Sequence, residues 1–197
     1  MERDYIAVDP AARPIRTRVA VRLVVLAQER VLLLADTDPG TPGSLWWTTP
    51  GGGMDPGESE RGTGVRELWE ETGLQVAESE LIGPLGDRVA IHGYSDQVAH
   101  QRETFFAVRL ERPFELDTSN HTADERLTLQ QWRWWPLAEL VDPDAEIWPA
   151  YLLRLVDLID RPDQRPVAFG MTEESSVPVL PGQFPSGGGN GQGPGTS

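Results

Sequence analysis

The chain predicts a mixed α+β fold, and three observations predict it. Val- and Leu-rich segments of strand length recur in pairs, a carboxylate-rich helical segment ending at Gly73 separates them, and an apolar-patterned helix closes the series. Thr17 to Leu26 and Val31 to Ala35 read as two strands joined through Gln28-Glu29-Arg30. A loop rich in Pro and Gly, with Asp38, Pro39, Gly40, Pro42 and Gly43, then leads to the short segment Leu45 to Thr49. Leu81 to Ile91 and Gln101 to Leu110 are two further strands, flanking a turn at Gly93-Tyr94-Ser95-Asp96. Leu127 to Trp135 reads as another strand, Pro136 to Leu140 as a short helix and Glu146 to Ile159 as an amphipathic helix. From about Met171, Ser, Pro, Gly and Asn dominate and leave little to bury, which predicts disorder. The expected division is an N-terminal extension over 1–16, one domain over 17–168 and a disordered Gly/Pro/Ser-rich tail over 169–197.

Composition bounds the function. A chain of 197 residues with 39% hydrophobic content is long enough for one domain with a core. It has no Cys, which excludes disulfides and thiolate metal sites, and only three scattered His. No apolar run reaches membrane-span length and the N-terminal residues lack the basic-then-apolar order of a secretory signal, so the expectation is a cytoplasmic protein without membrane contact. The net charge of -14 argues against nucleic acid held on a basic surface. Every basic side chain is Arg, which offers phosphate the bidentate contacts that Lys does not.

The chemistry concentrates between Gly52 and Leu74, GGMDPGESERGTGVRELWEETGL. At 3.6 residues per turn Glu67, Glu70 and Glu71 fall within an arc of roughly 100 degrees. Like charges so placed cost an isolated helix roughly 0.2 to 0.5 kcal/mol per pair, so a positive group, Arg66 or a bound cation, is expected to offset them. Oxygen ligands with no Cys or His nearby suit a hard ion, Mg2+ or Mn2+, over Zn2+. Val65, Leu68 and Trp69 lie on the opposite arc and are expected to pack on a sheet. Upstream, Pro50-Gly51-Gly52-Gly53 frees the backbone to turn and approach an ion or phosphate, and Gly73 sits where a left-handed cap ends the helix. The spacing of Glu58 from Arg66 lets an arginine fork tie loop to helix. Gly62 and Gly64, inside the helix, require either close packing or a later helix start.

Taken together, these residues fill every fixed position of the Nudix box, and the chain resembles the Nudix hydrolases. Trp47-Thr48-Thr49-Pro50 leads into the box as that family's aromatic strand does, and residues 130–140, QQWRWWPLAEL, are similar to its closing strand and short helix. The resemblance covers most of residues 17–159 and implies an α/β/α sandwich with a mixed, partly closed β-sheet. It implies that Glu70 and Glu71 bind divalent metal with the Gly51 carbonyl as a backbone ligand, and that Glu67 shares the metal or deprotonates the attacking water. It also implies that Arg66 orients Glu67 and pairs with Glu58. Some members draw a further Glu from outside the box; Glu125 is the first candidate here and Glu103 the second.

The implied activity is Mg2+-dependent hydrolysis of the pyrophosphate in a nucleoside diphosphate linked to another moiety, with Mn2+ as substitute. The substrate's flat group is expected against Trp46, Arg102 or Arg133, with Tyr94 and Trp132 also available, while Trp134 and Trp135 suit the core. The implied partner is a small nucleotide diphosphate derivative, and a homodimer is left open. Two other classes remain: a non-hydrolysing nucleotide- or ADP-ribose-sensing Nudix domain, and an interaction protein whose acidic helix docks a basic partner.

Overall fold

The computed structural model describes residues 3–185. Eight strands form one curled mixed sheet: β1 Ile15–Ala27, β2 Arg30–Asp36, β3 Trp46–Thr48, β4 Ile82–Gly93, β5 Val98–Leu110, β6 Gln131–Pro136, β7 Ile147–Trp148 and β8 Val167–Glu173. Their order is β7-β3-β2-β1-β5-β4-β8, with β6 added on β2. The long β1 and β5 run parallel in continuous register from Ile15 opposite Val98 to Ala27 opposite Leu110. β4 lies antiparallel to β5, and β8 runs parallel to β4 at the edge.

Strand alternation sends side chains of β1 to two separate cores. Val21, Leu23 and Val25 face helix α1 (Glu60–Thr72) and pack with Leu68 and Phe106. Val24 and Leu26 face helix α3 (Leu152–Ile159) and pack with Phe105, Leu155 and Leu158. The sheet therefore sits between two helical layers, as an α/β/α sandwich requires. Gly64 answers the packing question: a Cβ there lies 3.2 to 3.4 Å from Leu81, Leu23 and Val21, so glycine lets α1 sit close on the sheet. Leu68 is fully buried, while Trp69, expected to pack, is 41% exposed.

Three expectations about the elements need correction. The strand expected from Leu127 begins at Gln131, because Ala123–Thr128 forms a short helix α2 capped by Thr122. The helix expected from Glu146 starts at Leu152, because Ile147 and Trp148 pair with β3 and Pro149 disfavours helical backbone just before it. The tail expected from residue 169 is ordered as far as Pro185: Val167–Glu173 is strand β8, and Glu174 and Gln183 are buried. Backbone pairing and polar contacts hold this segment, including Gln183 Nε2 to Pro10 O at 2.8 Å and Ser176 Oγ to Asp38 at 2.7 Å. Hydrophobic content therefore underestimates its order. The Gly-rich end of the expected tail lies outside the described residues. Among the described residues, no helix is long and apolar enough to cross a membrane.

Candidate active site

Helix α1 is placed by its ends. Ser59 Oγ accepts from the Gly62 N–H at 2.9 Å, and Gly73 closes the helix in the left-handed region at φ 74° with its N–H on Trp69 O. Ahead of the helix, the glycine loop crosses β1 through bonds from Val21 N to Gly52 O and from Leu23 N to Pro50 O. Gly51 adopts φ 132°, and a Cβ there meets Val21 O at 2.1 Å. A Cβ on Gly52 meets the Glu67 carboxylate at 2.6 Å. The loop and the carboxylate helix thus approach to a distance that only glycine allows.

Arg66 clamps the two together. Its Nε and Nη2 donate to the two oxygens of Glu58 at 2.7 and 3.0 Å, and Nη2 also donates to Gly53 O at 2.8 Å. Nη1 donates to Glu67 Oε1 at 2.7 Å and to Glu70 Oε2 at 2.8 Å. The Arg66 hydrogen bonds hold the Glu58 carboxyl down to about 2. Thr63 and the Asp55 N–H also bind Glu58, so the loop between Gly53 and Ser59 is closed on itself.

Beside that clamp lies a second group with a different balance. Glu67, Glu71 and Glu125 each offer a carboxylate oxygen, and these oxygens all lie within 4.8 Å of one another. Glu67 and Glu71 are 5% and 7% exposed. Burial pushes the Glu67 carboxyl up to about 7 against the pull of Arg66. Burial, with Glu67 as a charged neighbour, pushes Glu71 well up. One Glu71 oxygen accepts the Gly51 N–H at 2.7 Å. Glu125 reaches the group from α2, where its Oε2 accepts the Thr122 N–H at 2.6 Å and Thr122 caps the helix in return. Buried like charges at this separation favour either shared protons or a cation, and an all-oxygen set suits a hard divalent ion.

A cavity of about 280 Å³ opens over these carboxylates and the loop, and Arg18, Arg22, Tyr94, Arg3 and Tyr5 complete its wall. Arg22 donates to Gly51 O at 2.9 Å and to Glu103 at 3.0 Å, whereas the Arg18 Nε donates to the neutral amide oxygen of Gln101. A larger groove of about 650 Å³ shares Glu71 with this cavity and is lined by Trp132, His121, Arg126 and Leu116.

The structure thus gathers Glu58, Arg66, Glu67, Glu71, Glu125 and Gly51 in one place. Glu70, expected as a metal ligand, is turned to Arg66 and stands outside the three-carboxylate group. Glu103, the second candidate for an extra catalytic carboxylate, is fully buried between Arg22 and Arg88. The three residues expected to hold the substrate line neither cavity. Trp46 is 2% exposed and stacked on Trp148 at 4.4 Å. Arg133 lies over the Trp135 ring and pairs with Glu139 at 2.8 Å. Arg102 opens to a separate surface depression beside Met54 and Glu60. On β6 the two-residue alternation decides the matter: Trp132 and Arg133 point to opposite faces. Arg18, Arg22, His121 and Arg126, which line the two cavities, were not singled out by sequence reasoning. The Thr122-x-x-Glu125 capping box was the legible signal that Glu125 sits on a helix rather than in a loop.

The NUDIX domain family model matches residues 16–156. An RNA pyrophosphohydrolase of Roseobacter denitrificans is 32% identical over 104 residues, 49% of this chain and 63% of that protein. One of Cereibacter sphaeroides is 29% identical over 149 residues, 72% of this chain and 86% of that protein. The chain spans less than two thirds of the first curated relatives it matches, 63% and 60% of their lengths. In fold, the chain is similar to a mutator MutT protein of Bacillus halodurans, with a TM-score of 0.55, 20% identity and coverage of 81% of this chain and 91% of that one.

Proposed function

Because this chain belongs to the Nudix family, we propose that it is a pyrophosphohydrolase that cleaves nucleoside diphosphates linked to a second moiety, using a divalent cation held by Glu67, Glu71 and Glu125. The observation that carries this is the three-carboxylate group set against the glycine loop, two of its members buried, with Arg66 divided among Glu58, Glu67 and Glu70 and Arg22 paired with Glu103, so that neither neutralises it fully. Mg2+ is the first choice of cation and Mn2+ the substitute, from the hardness of the donor set. Bound there, the cation supplies neutralisation of the pyrophosphate charge and acidification of the attacking water.

The chain's own residues do the rest. Glu67 has Oε1 committed to Arg66, so Oε2 is the oxygen left either to share the cation or to take the proton from water as water attacks phosphorus. The bridging P–O bond breaks and leaves a phosphate monoester on each side. Arg66 fixes the Glu67 rotamer and ties it through Glu58 to the loop. Arg18 is the cavity's candidate for the phosphoryl oxygens, since its side-chain bond is to a neutral amide. The groove beside Glu71 takes the flat group, with Trp132 as its stacking surface and Arg126 at its edge.

The relatives' names add RNA carrying a pyrophosphate to the substrate classes worth testing. The charge of -14 puts small nucleotides first, because long nucleic acid is held by a basic surface. The test is product release from a panel of pyrophosphate-containing nucleotides and RNA, with and without Mg2+, by the wild type and Glu71→Gln. Cation-dependent turnover by the wild type and its loss in Glu71→Gln are expected. Equal turnover by both proteins contradicts the assignment.

A further inference from the structure

Gly51 is held through both of its backbone polar groups. Its N–H donates to Glu71, within the carboxylate group, and its carbonyl accepts from Arg22 Nη1 at 2.9 Å. Behind Arg22 runs a line of charges alternating in sign. Arg22 Nε donates to Glu103 Oε1 at 3.0 Å, Arg88 Nε donates to Glu103 Oε2 at 2.6 Å, and Arg88 Nη2 pairs with Glu174 at 2.8 Å. The side chains of Glu103, Arg88 and Glu174 are 0%, 2% and 6% exposed. Glu174 follows directly on β8 in the segment whose composition resembles a tail, and it also accepts the Ala150 N–H at 3.1 Å.

Stability alone is a poor reason for such a line, because replacing a buried ion pair with apolar residues of similar volume is often neutral or stabilising. What apolar residues cannot do is neutralise Arg22. A guanidinium bonded to the Gly51 carbonyl stands next to the place where a cation would meet Glu71, and an unbalanced positive charge there opposes that cation. Glu103 balances Arg22, and Arg88 with Glu174 holds Glu103 in place.

We propose that Arg22, Glu103, Arg88 and Glu174 are positioning residues that set the charge and orientation of the Gly51 carbonyl, so that the cation affinity of the Glu67, Glu71 and Glu125 group depends on the segment after β8. The inference rests on the cation reading of that group and extends it to side chains that touch neither cation nor substrate. It also explains why a carboxylate at Glu103, a plausible ligand by its place in the chain, is instead sealed between two arginines.

The test is calorimetric titration of Mn2+ into the full-length wild type, Glu103→Gln, Glu174→Gln and the exposed control Glu139→Gln, each checked for fold by circular dichroism. Outer groups that orient metal ligands typically carry about 10- to 100-fold in metal affinity. Glu103→Gln is expected to weaken Mn2+ by about tenfold or more. Glu174→Gln, one step further out, is expected to weaken it less, and Glu139→Gln not at all. A graded loss along the line is the signature that a merely structural role does not produce. Should Glu103→Gln fail to fold, Glu174→Gln carries the test, read also from the Gly51 carbonyl carbon resonance, which the proposal expects to shift. Wild-type Mn2+ uptake together with unchanged affinity and an unchanged Gly51 resonance in Glu174→Gln overturns the relay alone. A wild type that takes up no Mn2+ overturns the cation reading and the relay with it.

Discussion

Buried glutamates lie on either side of Gly51, Glu67 and Glu71 on one and Glu103 on the other, and they hold their protons oppositely. Glu67 and Glu71 face each other and Glu125, and burial raises both. Glu103 is buried still more completely, yet Arg22 and Arg88 outweigh the cost of its burial and hold it well below the usual carboxylate range. The residue type is the same and the depth similar, so the neighbours decide the direction. One group is electrostatically complete within the chain, and the other is short of positive charge. That shortfall is what the proposed cation site rests on.

The largest effect is expected at Glu103, where the charges are already balanced. Glu103→Leu strips two buried arginines of their shared partner, and removing one member of a buried pair costs about 3 to 5 kcal/mol. Urea denaturation is expected to show a loss of that size, a large share of a total stability of roughly 5 to 15 kcal/mol. A loss below about 1 kcal/mol means that Glu103 is less committed to the arginines than the geometry indicates.

From the incomplete side the effects reverse. Glu67→Gln removes a charge that burial disfavours, so stability without cation is expected to hold or rise at pH 7.5. Turnover is expected to fall by about 100-fold or more, the usual scale for a lost general base. Retained turnover assigns proton transfer to another residue.

The raised Glu67 value sharpens the contrast through pH. An unfolded Glu titrates near the ordinary value of 4.5 and the folded Glu67 near about 7, so between those values the folded state binds more protons than the unfolded one. Cation-free stability therefore falls as pH rises through that window, by about 1 to 3 kcal/mol. Saturating Mg2+ is expected to remove the fall. Melting curves at pH 5, 6 and 7.5 check it, and a stability that rises over the same range contradicts it. Smallest of all, Arg133→Ala breaks an exposed pair with Glu139, 45% and 47% exposed, and the contact over the Trp135 ring, and is expected to change stability by less than about 1.5 kcal/mol and KM not at all. A raised KM returns Arg133 to the substrate site.

Much of the site was legible because it is local. The box from Gly52 to Leu74 specifies one loop, one helix and an arginine clamp, and spacing along the chain translates directly into spacing on a helix. Glu125 was found by its residue type and its place in a polar loop, although the helix that presents it went unread. The walls of the two cavities were not legible, because they are assembled from β1, the segment around Leu116 to Arg126 and β6. Which face of β6 meets the groove depends on register, and a shift of one residue exchanges Trp132 with Arg133. The strands of the core were legible from their Val and Leu content. Strand β8 was not, because an edge strand held by backbone bonds buries little and carries no such signature.

The account turns on the carboxylate group taking up a hard cation in place of protons. Calorimetric titration of Mg2+ at pH 6.5 in buffers of different ionisation enthalpy measures both at once. The account predicts uptake with release of protons from Glu67 and Glu71 in the wild type, and the loss of both in Glu71→Gln. Absence of Mg2+ uptake by the wild type, or uptake with no proton released, contradicts it.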